Sequence, residues 1–214
     1  MSVDDECIRF IRFGFERTFV QSPVADVAQV EPFFRSVKEA LVIDLRAKYP
    51  KRTDSTLPDD FFTLVQLDAG LEATVLYRIE HAMFVVDPNH SLLPWLANLM
   101  RLRTGTELYY STSIGPGLNV QHGSGIVIGP HNRIGKGFIV HHGVTMGQRQ
   151  VHAPSNGATL GDDVVLYAGS AIVGPVIVGD RVHLAANAVL TTNAESDSIY
   201  AGMPAKRVAP LPTK

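Results

Sequence analysis

The feature that most constrains this chain is a period of six in its aliphatic residues between positions 114 and 190. The residues at this spacing are Ile114, Val120 and Ile126, then Ile128, Ile134, Val140 and Met146, and finally Leu160, Leu166, Ile172, Val178, Leu184 and Leu190. An amphipathic helix repeats its apolar face at about 3.6 residues and a strand at about 2, so neither explains the period. A three-sided coil does, because each side is one short strand and every sixth residue points to the axis. The sequence therefore predicts a parallel β-helix of hexapeptide repeats.

Glycine directly follows many of these aliphatic residues, as in Ile114-Gly115, Ile134-Gly135 and Leu160-Gly161. We expect glycine there because the backbone at a corner takes torsion angles that are closed to most side chains.

The period is interrupted twice, and histidines lie near both interruptions. It slips by two residues between Ile126 and Ile128, inside the segment 122–129, His-Gly-Ser-Gly-Ile-Val-Ile-Gly. It is interrupted again between Met146 and Leu160, where residues 148–158 are predicted to leave the coil as a loop. Insertions on a rigid scaffold commonly carry function, so we expect the site near these two positions.

Residues 1–103 are predicted to form an α-helical domain that precedes the coil. Apolar residues recur at helical spacing over residues 8–19, 34–45 and 61–82, and a further short helix is predicted over residues 92–103. The coil is placed at residues 104–192, and residues 193–214 are predicted to be a C-terminal tail in which the period has stopped. The predicted fold class is α+β, a helical domain followed by a β-helix.

Composition excludes several classes of function. The 214 residues carry a formal net charge of −2, which offers no attraction to nucleic acid or to an anionic membrane. Cys7 is the only cysteine, so an intrachain disulfide is excluded. No apolar run approaches the roughly 18 residues of a membrane span, and the acidic N-terminus is unlike a signal peptide. We therefore expect a cytoplasmic protein that binds neither nucleic acid nor membrane.

Several stretches resemble the serine O-acetyltransferases, a branch of the hexapeptide-repeat acyltransferases. They are residues 77–81 (Tyr-Arg-Ile-Glu-His), 114–117 (Ile-Gly-Pro-Gly), 122–129, 144–147 (Val-Thr-Met-Gly) and 201–206 (Ala-Gly-Met-Pro-Ala-Lys). Many acyltransferases share the hexads and the closing motif. The combination of Tyr-Arg-x-x-His with His-x-x-Gly is more specific to the serine branch.

The resemblance implies a left-handed coil, a homotrimer or dimer of trimers, and acetyl-CoA as cosubstrate in the cleft between neighbouring subunits. It makes His122 the general base on an acceptor hydroxyl, and it makes Glu107 the carboxylate that steadies the imidazole, where the family usually has aspartate. The residues it assigns to the CoA site are Gly147, Ala168, Ala186, Lys206 and Arg207. It implies no metal.

The chemistry of these residue types fits the implied reaction. An imidazole with a pKa of about 6.5 can take the proton of the acceptor hydroxyl as the bond to the thioester carbon forms. A carboxylate on the other ring nitrogen would fix the tautomer, and Glu107 precedes His122 by slightly less than one coil. Direct transfer is expected, because no Gly-x-Ser-x-Gly elbow exists. Tyr77 and His81 share one helix face, and we interpret that pair as helix packing.

The expected contacts to the acceptor depart from the family pattern. Gln121 stands where the serine enzymes have aspartate. Asn156-Gly157 aligns with the loop positions that normally bring an Arg-His pair to the substrate carboxylate. His152 and Arg149 in the same loop are candidate replacements. The candidate partners of the substrate ammonium are Asp54, Asp59 and Asp60. Losing both charged partners would cost several kcal/mol, so an acceptor other than free serine is a second interpretation.

One further expectation concerns a protein partner, and two alternative functions stay open. The chain ends in Lys214, where cysteine-pathway enzymes end in an isoleucine that docks into the sulfhydrylase, so no cysteine synthase complex is expected. His141 and His142 come about one coil after His122, which leaves a metal hydratase resembling the γ-class carbonic anhydrases as an alternative. A non-catalytic scaffold is the remaining alternative.

Overall fold

The computed structural model describes residues 2–19, 24–53, 55–149 and 157–212. The N-terminal half is helical, as predicted, with α1 (Val3–Thr18), a 3-10 helix (Val24–Val30), α2 (Glu31–Lys48), α3 (Phe61–Leu67), α4 (Ala69–Val86) and α5 (Leu93–Thr104). The helix predicted over residues 61–82 is in fact two helices. Asp68 divides them, because its side chain accepts the Leu71 N–H and so caps the start of α4. Within the described residues, no helix is long and apolar enough to cross a bilayer.

The C-terminal half is a parallel β-helix, which confirms the predicted fold class. Its strands are β1 (Glu107–Leu108), β2 (Ser113–Ile114), β3 (Asn119–Gln121), β4 (Val127–Ile128), β5 (Arg133–Ile134), β6 (Ile139–His141), β7 (Thr145–Gly147), β8 (Thr159–Leu160), β9 (Val165–Leu166), β10 (Ala171–Val173), β11 (Ile177–Val178), β12 (His183–Leu184), β13 (Val189–Leu190), β14 (Ser198–Gly202) and β15 (Ala205–Pro210). They form three faces. The first face is β1-β4-β7-β10-β13, the second is β2-β5-β8-β11, and the third is β3-β6-β9-β12-β14-β15.

The hexad residues point into the coil as the period predicts. Ile128 pairs with Met146, Ile134 with Leu160, and all four are buried. Ile126 is also buried but precedes β4, so the inward position of the strands steps from Val120 to Ile128. The slip in period is therefore an insertion between β3 and β4, and the register shows the first coil to be two residues longer than the second.

The explanation predicted for the glycines after the inward residues is wrong. Gly115, Gly135 and Gly161 do not have positive φ angles. They are required by close approach of successive coils, since a Cβ on Gly115 would lie 2.7 Å from the backbone nitrogen of Lys136. Glycine is needed at these positions because the next coil leaves no room for a Cβ atom, and not because the backbone has a positive φ angle.

The strand stack continues beyond the point where the sequence period ends. In the segment predicted to be a tail, β14 pairs parallel to β12, and β15 then folds back antiparallel to β14. The Leu211 N–H donates to the Asp197 carbonyl, which holds Leu211 against the coil. The hairpin covers the last edge of the third face, where an open strand edge would invite unwanted pairing.

At the other end, side chains from α4 form hydrogen bonds with backbone groups at the open edge of the first coil. The Tyr77 hydroxyl donates to the Thr112 carbonyl and accepts the Ile114 N–H, while the His81 Nδ1 lies 2.8 Å from the Tyr110 carbonyl oxygen. Tyr77 and His81 therefore have a packing role, as interpreted from the sequence. The surface against which they pack is the coil rather than another helix.

Glu80, on α4, is fully buried, and neither carboxylate oxygen has a hydrogen-bond partner within the described structure. Burial raises the pKa of Glu80 well above its ordinary value. The folded chain therefore holds a proton that the unfolded chain releases above about pH 4.3. We expect the free energy of unfolding to fall as pH rises between the unfolded and folded pKa values, by at most about 1.4 kcal/mol per pH unit for this one proton.

Glu80→Gln should remove this contribution. The variant should be more stable than the wild type at pH 8 and should lose that advantage towards pH 5, as measured by urea unfolding across this range. Glu39→Gln, at an exposed position of α2, is the matched control and should show the wild-type pH dependence. A stability difference between Glu80→Gln and the wild type that does not change with pH would show that Glu80 is not held protonated.

Candidate functional site

The insertion between β3 and β4 forms an unusual corner that contains His122. His122 has a φ of 66°, in the left-handed region that only a few per cent of non-glycine residues adopt. Gly123 and Gly125 on the same corner also have positive φ angles. A left-handed residue turns its side chain away from the path that a regular strand would give it. The sequence signal for this corner was the slip in the hexad period.

Four residues lie in one row along the edge between the third and first faces, and we call them the corner row: His122, His142, Ala168 and Ala186. Hydrogen bonds join successive turns of this edge, from Gly143 N–H to the Ser124 carbonyl, from Gly169 N–H to the His142 carbonyl and from Asn187 N–H to the Ala168 carbonyl. The predicted base and two of the predicted CoA residues therefore share one edge. Ala168 is half-buried and Ala186 is exposed, so both leave backbone open to a ligand.

Two further imidazoles lie close to His122. The His142 ring stands edge-on to it, with ring centroids 5.6 Å apart at an interplanar angle of 73°. His141 faces the other way, onto the third face. Burial lowers the pKa of His141 below its ordinary value, and the nearby His122 and His142 charges lower it further. Within the described part of the chain, no three histidine, cysteine or carboxylate side chains are arranged to hold a metal ion.

A groove of about 850 Å³ runs along the third face and is lined by Gln121, the residue before His122. The residues that line this groove include Gln121, Ile139, His141, Val165, Tyr167 and His183. Tyr167 stacks on His141 with ring centroids 5.2 Å apart, and it meets His183 edge-on at 5.9 Å. Burial lowers the pKa of His183, so the groove wall holds neutral rings near pH 7.

Gln121 lies where the groove meets the corner row. Its side-chain amide donates to Asn119 Oδ1 at 2.9 Å, and the Asn119 amide in turn donates to the Ala47 carbonyl. This chain of hydrogen bonds fixes the Gln121 amide against the end of α2. The predicted acceptor contact therefore lies next to the predicted base and carries no charge.

Glu107 is half-buried on the first face and lines a separate cavity of about 320 Å³ together with Pro94, Asn98 and Arg101 of α5. Within the described residues, no hydrogen bond joins its carboxylate to the His122 ring. The pairing of these two residues stays a prediction.

The other predicted site residues are spread over the coil. Gly147 ends β7 on the first face, where a Cβ would meet only Thr145 at 4.0 Å, so the space beside it is open. Lys206 and Arg207 lie exposed on β15 beyond the last turn of the corner row, and the Arg207 Nε donates to Ser198 Oγ. Asp54, His152 and Asn156 lie outside the described residues.

Sequence reasoning missed a group of residues from the helical layer that contacts the His122 corner. Lys48, Tyr49 and Asp68 are joined to one another, and Lys48 also reaches the Val120 carbonyl. Lys48 and Val120 are separated by 72 residues, so no local pattern could have predicted the contact.

Comparison with known proteins identifies the family. The family model described as bacterial transferase hexapeptide (six repeats) matches residues 157–192. The serine acetyltransferase of Helicobacter pylori strain J99 is 35% identical over 139 residues, which cover 65% of this chain and 81% of that protein. Among solved structures, the serine acetyltransferase of Neisseria gonorrhoeae superposes with a TM-score of 0.83 at 22% identity, over 100% of this chain and 81% of that one. That of Brucella abortus in complex with coenzyme A gives 0.82 at 19% identity, over 100% and 84%. The helical layer, the hexapeptide coil and this identity together show that the chain belongs to the serine acetyltransferase family.

Proposed function

We propose that this chain transfers the acetyl group of acetyl-CoA to the hydroxyl of serine, with His122 as the general base. The observation that carries the proposal is the corner row, in which His122 and the small residues Ala168 and Ala186 share one edge of the coil. The names of the family relatives supply the cosubstrate and the acceptor, since they are serine acetyltransferases and one structure holds coenzyme A. The row supplies a base and an adjacent open backbone surface.

The proposed reaction needs one proton carrier. The His122 imidazole takes the proton of the serine hydroxyl as its oxygen attacks the thioester carbon of acetyl-CoA. The tetrahedral intermediate then collapses with cleavage of the carbon–sulfur bond, and the imidazolium returns the proton to the departing CoA thiolate. The products are O-acetylserine and CoA, and no covalent acyl-enzyme forms.

Binding roles are proposed for the residues around this row. Ala168 and Ala186, with Gly147, give the pantetheine arm a wall without bulky side chains. Lys206 and Arg207 are proposed to meet the CoA phosphates, because both are exposed cations beyond the last coil of the row. Gln121 is proposed to contact the acceptor, and Glu107 to steady the imidazole.

We also propose a homotrimer or a dimer of trimers, in which a neighbouring subunit closes the groove beside the corner row. The proposed division of the chain is a helical domain at residues 1–103, the coil at residues 104–192 and the C-terminal segment at residues 193–214. Analytical ultracentrifugation of the full chain tests the assembly, and a monomer at micromolar concentration would contradict it.

The test of the proposed function is an assay of the purified chain with acetyl-CoA and L-serine. We expect release of free thiol that depends on L-serine, and a product with the mass of O-acetylserine. D-serine, homoserine and a sugar alcohol form the comparison panel, because the Gln121 amide is uncharged and leaves another acceptor as a specific alternative. Turnover with a different member of the panel and none with L-serine would overturn the assignment of serine while keeping the acetyl transfer.

A further inference from the structure

The end of α2 reaches the strand that carries His122. The Lys48 Nζ donates to the Val120 carbonyl at 2.5 Å, and the Lys48 side chain is only 7% exposed. Val120 lies on β3, which is an edge strand of the third face. The ammonium group therefore binds a carbonyl at an open edge, two residues before His122.

Asp68 holds the Lys48 ammonium in place. Its Oδ1 lies 3.2 Å from Lys48 Nζ and accepts the Leu71 N–H, while its Oδ2 accepts the Tyr49 hydroxyl at 2.6 Å. Burial alone would raise the pKa of Asp68, but the hydrogen bonds from Tyr49 and Leu71 and the Lys48 charge outweigh it and hold that pKa below its usual value. Asp68 is therefore a charged partner that fixes both Lys48 and the start of α4.

The start of α4 packs against the residues that precede and follow His122 in the sequence. A Cβ on Gly70 would lie 2.2 Å from the Val120 carbonyl oxygen and 3.0 Å from Lys48 Nζ. A Cβ on Gly123 would lie 3.0 Å from the Gly70 nitrogen. The backbone before and after His122 is thus in direct contact with the start of α4.

We propose that Lys48 is a positioning residue for His122, acting through the Val120 carbonyl on the left-handed corner. The inference rests on the proposed function, because it assumes that His122 is the general base. Without the ammonium group, the Val120 carbonyl at the edge of the coil loses its donor, and the corner that follows it loses its fixed position. A displacement of about 1 Å in a catalytic group can cost about 10²-fold in rate.

Lys48→Met tests the proposal, because methionine keeps the apolar stem and removes the charge and the donor. We expect kcat to fall about 10-fold to 100-fold, with KM for acetyl-CoA within about twofold of the wild type. Asp68→Asn keeps an acceptor for the Leu71 N–H, and it should lower kcat in the same direction by releasing Lys48. Lys136→Met is the matched control, because it removes an exposed lysine–aspartate pair on the coil and should leave kcat unchanged.

The decisive measurement combines Lys48→Met with His122→Ala. If Lys48 acts through His122, the double variant should turn over at the rate of His122→Ala, because no imidazole is left to position. The turnover rates of these slow variants can be measured by mass spectrometry of the O-acetylated product that accumulates over hours. Full kcat in Lys48→Met, or the same fold-loss in both backgrounds, would overturn the role of Lys48. Normal turnover of His122→Ala alone would instead overturn the base assignment, so the two failures are distinguishable.

Discussion

Replacing His122 with alanine is expected to lower kcat by about 10²–10⁴-fold. The imidazole takes the acceptor proton only as the reaction proceeds, so its loss affects the transition state rather than the binding of acetyl-CoA. We therefore expect kcat and kcat/KM to fall together, while the affinity for CoA stays at the wild-type value. Steady-state thiol release gives the rates, and calorimetric titration with CoA gives the affinity.

The backbone at position 122 requires two controls. Alanine is disfavoured at a φ of 66°, whereas asparagine adopts the left-handed region readily, so His122→Asn should reproduce the loss without the backbone cost. His131 has a φ of 62° on an exposed corner, so His131→Ala has the same backbone cost and should keep full kcat. Wild-type turnover in both His122 variants would show that another group takes the proton.

The coil could be predicted from the sequence because each of its short strands contains an apolar residue at the buried, inward position. Leu160, Leu166 and Ile172 are buried and point to the same axis from three successive strands. The period of six is therefore visible over a short stretch of sequence. The candidate site was predicted for the same reason, since an insertion at a corner interrupts the period and His122 lies within that interruption. The end of the coil was less visible, because β14 continues the stack without a hexad spacing.

The contacts between the helical layer and the coil could not be predicted, because they join residues far apart in sequence. Lys48 and Val120 lie 72 residues apart, and neither residue type indicates the other. The resemblance implied that Glu107 pairs with His122. Glu107 lines a cavity together with residues of α5, and its pairing with His122 stays a prediction. Separation along a coil limits which residues can be neighbours, but it does not determine the direction of each side chain.

Arg78→Met is expected to lower the free energy of unfolding by about 3–5 kcal/mol. Arg78 donates through Nε and Nη2 to the two oxygens of Asp44, and it also donates to the Ile114 and Gly115 carbonyls. Asp44 is 1% exposed and further accepts the Gly117 and Leu118 N–H groups. The loss is large because removal of the guanidinium leaves a buried carboxylate without its counter-charge at the joint between helices and coil. Urea unfolding followed by circular dichroism at fixed protein concentration measures it.

The structure contains a matched control for this substitution. Arg181 binds Asp197 through the same two-pronged geometry, at 2.6 and 2.8 Å, but both side chains are exposed on the coil. Arg181→Met should leave the free energy of unfolding unchanged within error, because water screens an exposed pair. Arg78→Lys should remain destabilised, since one ammonium cannot reach both carboxylate oxygens and two carbonyls at once. Equal losses in Arg78→Met and Arg181→Met would show that burial does not make the Asp44 pair different, and that the joint is held by apolar packing instead.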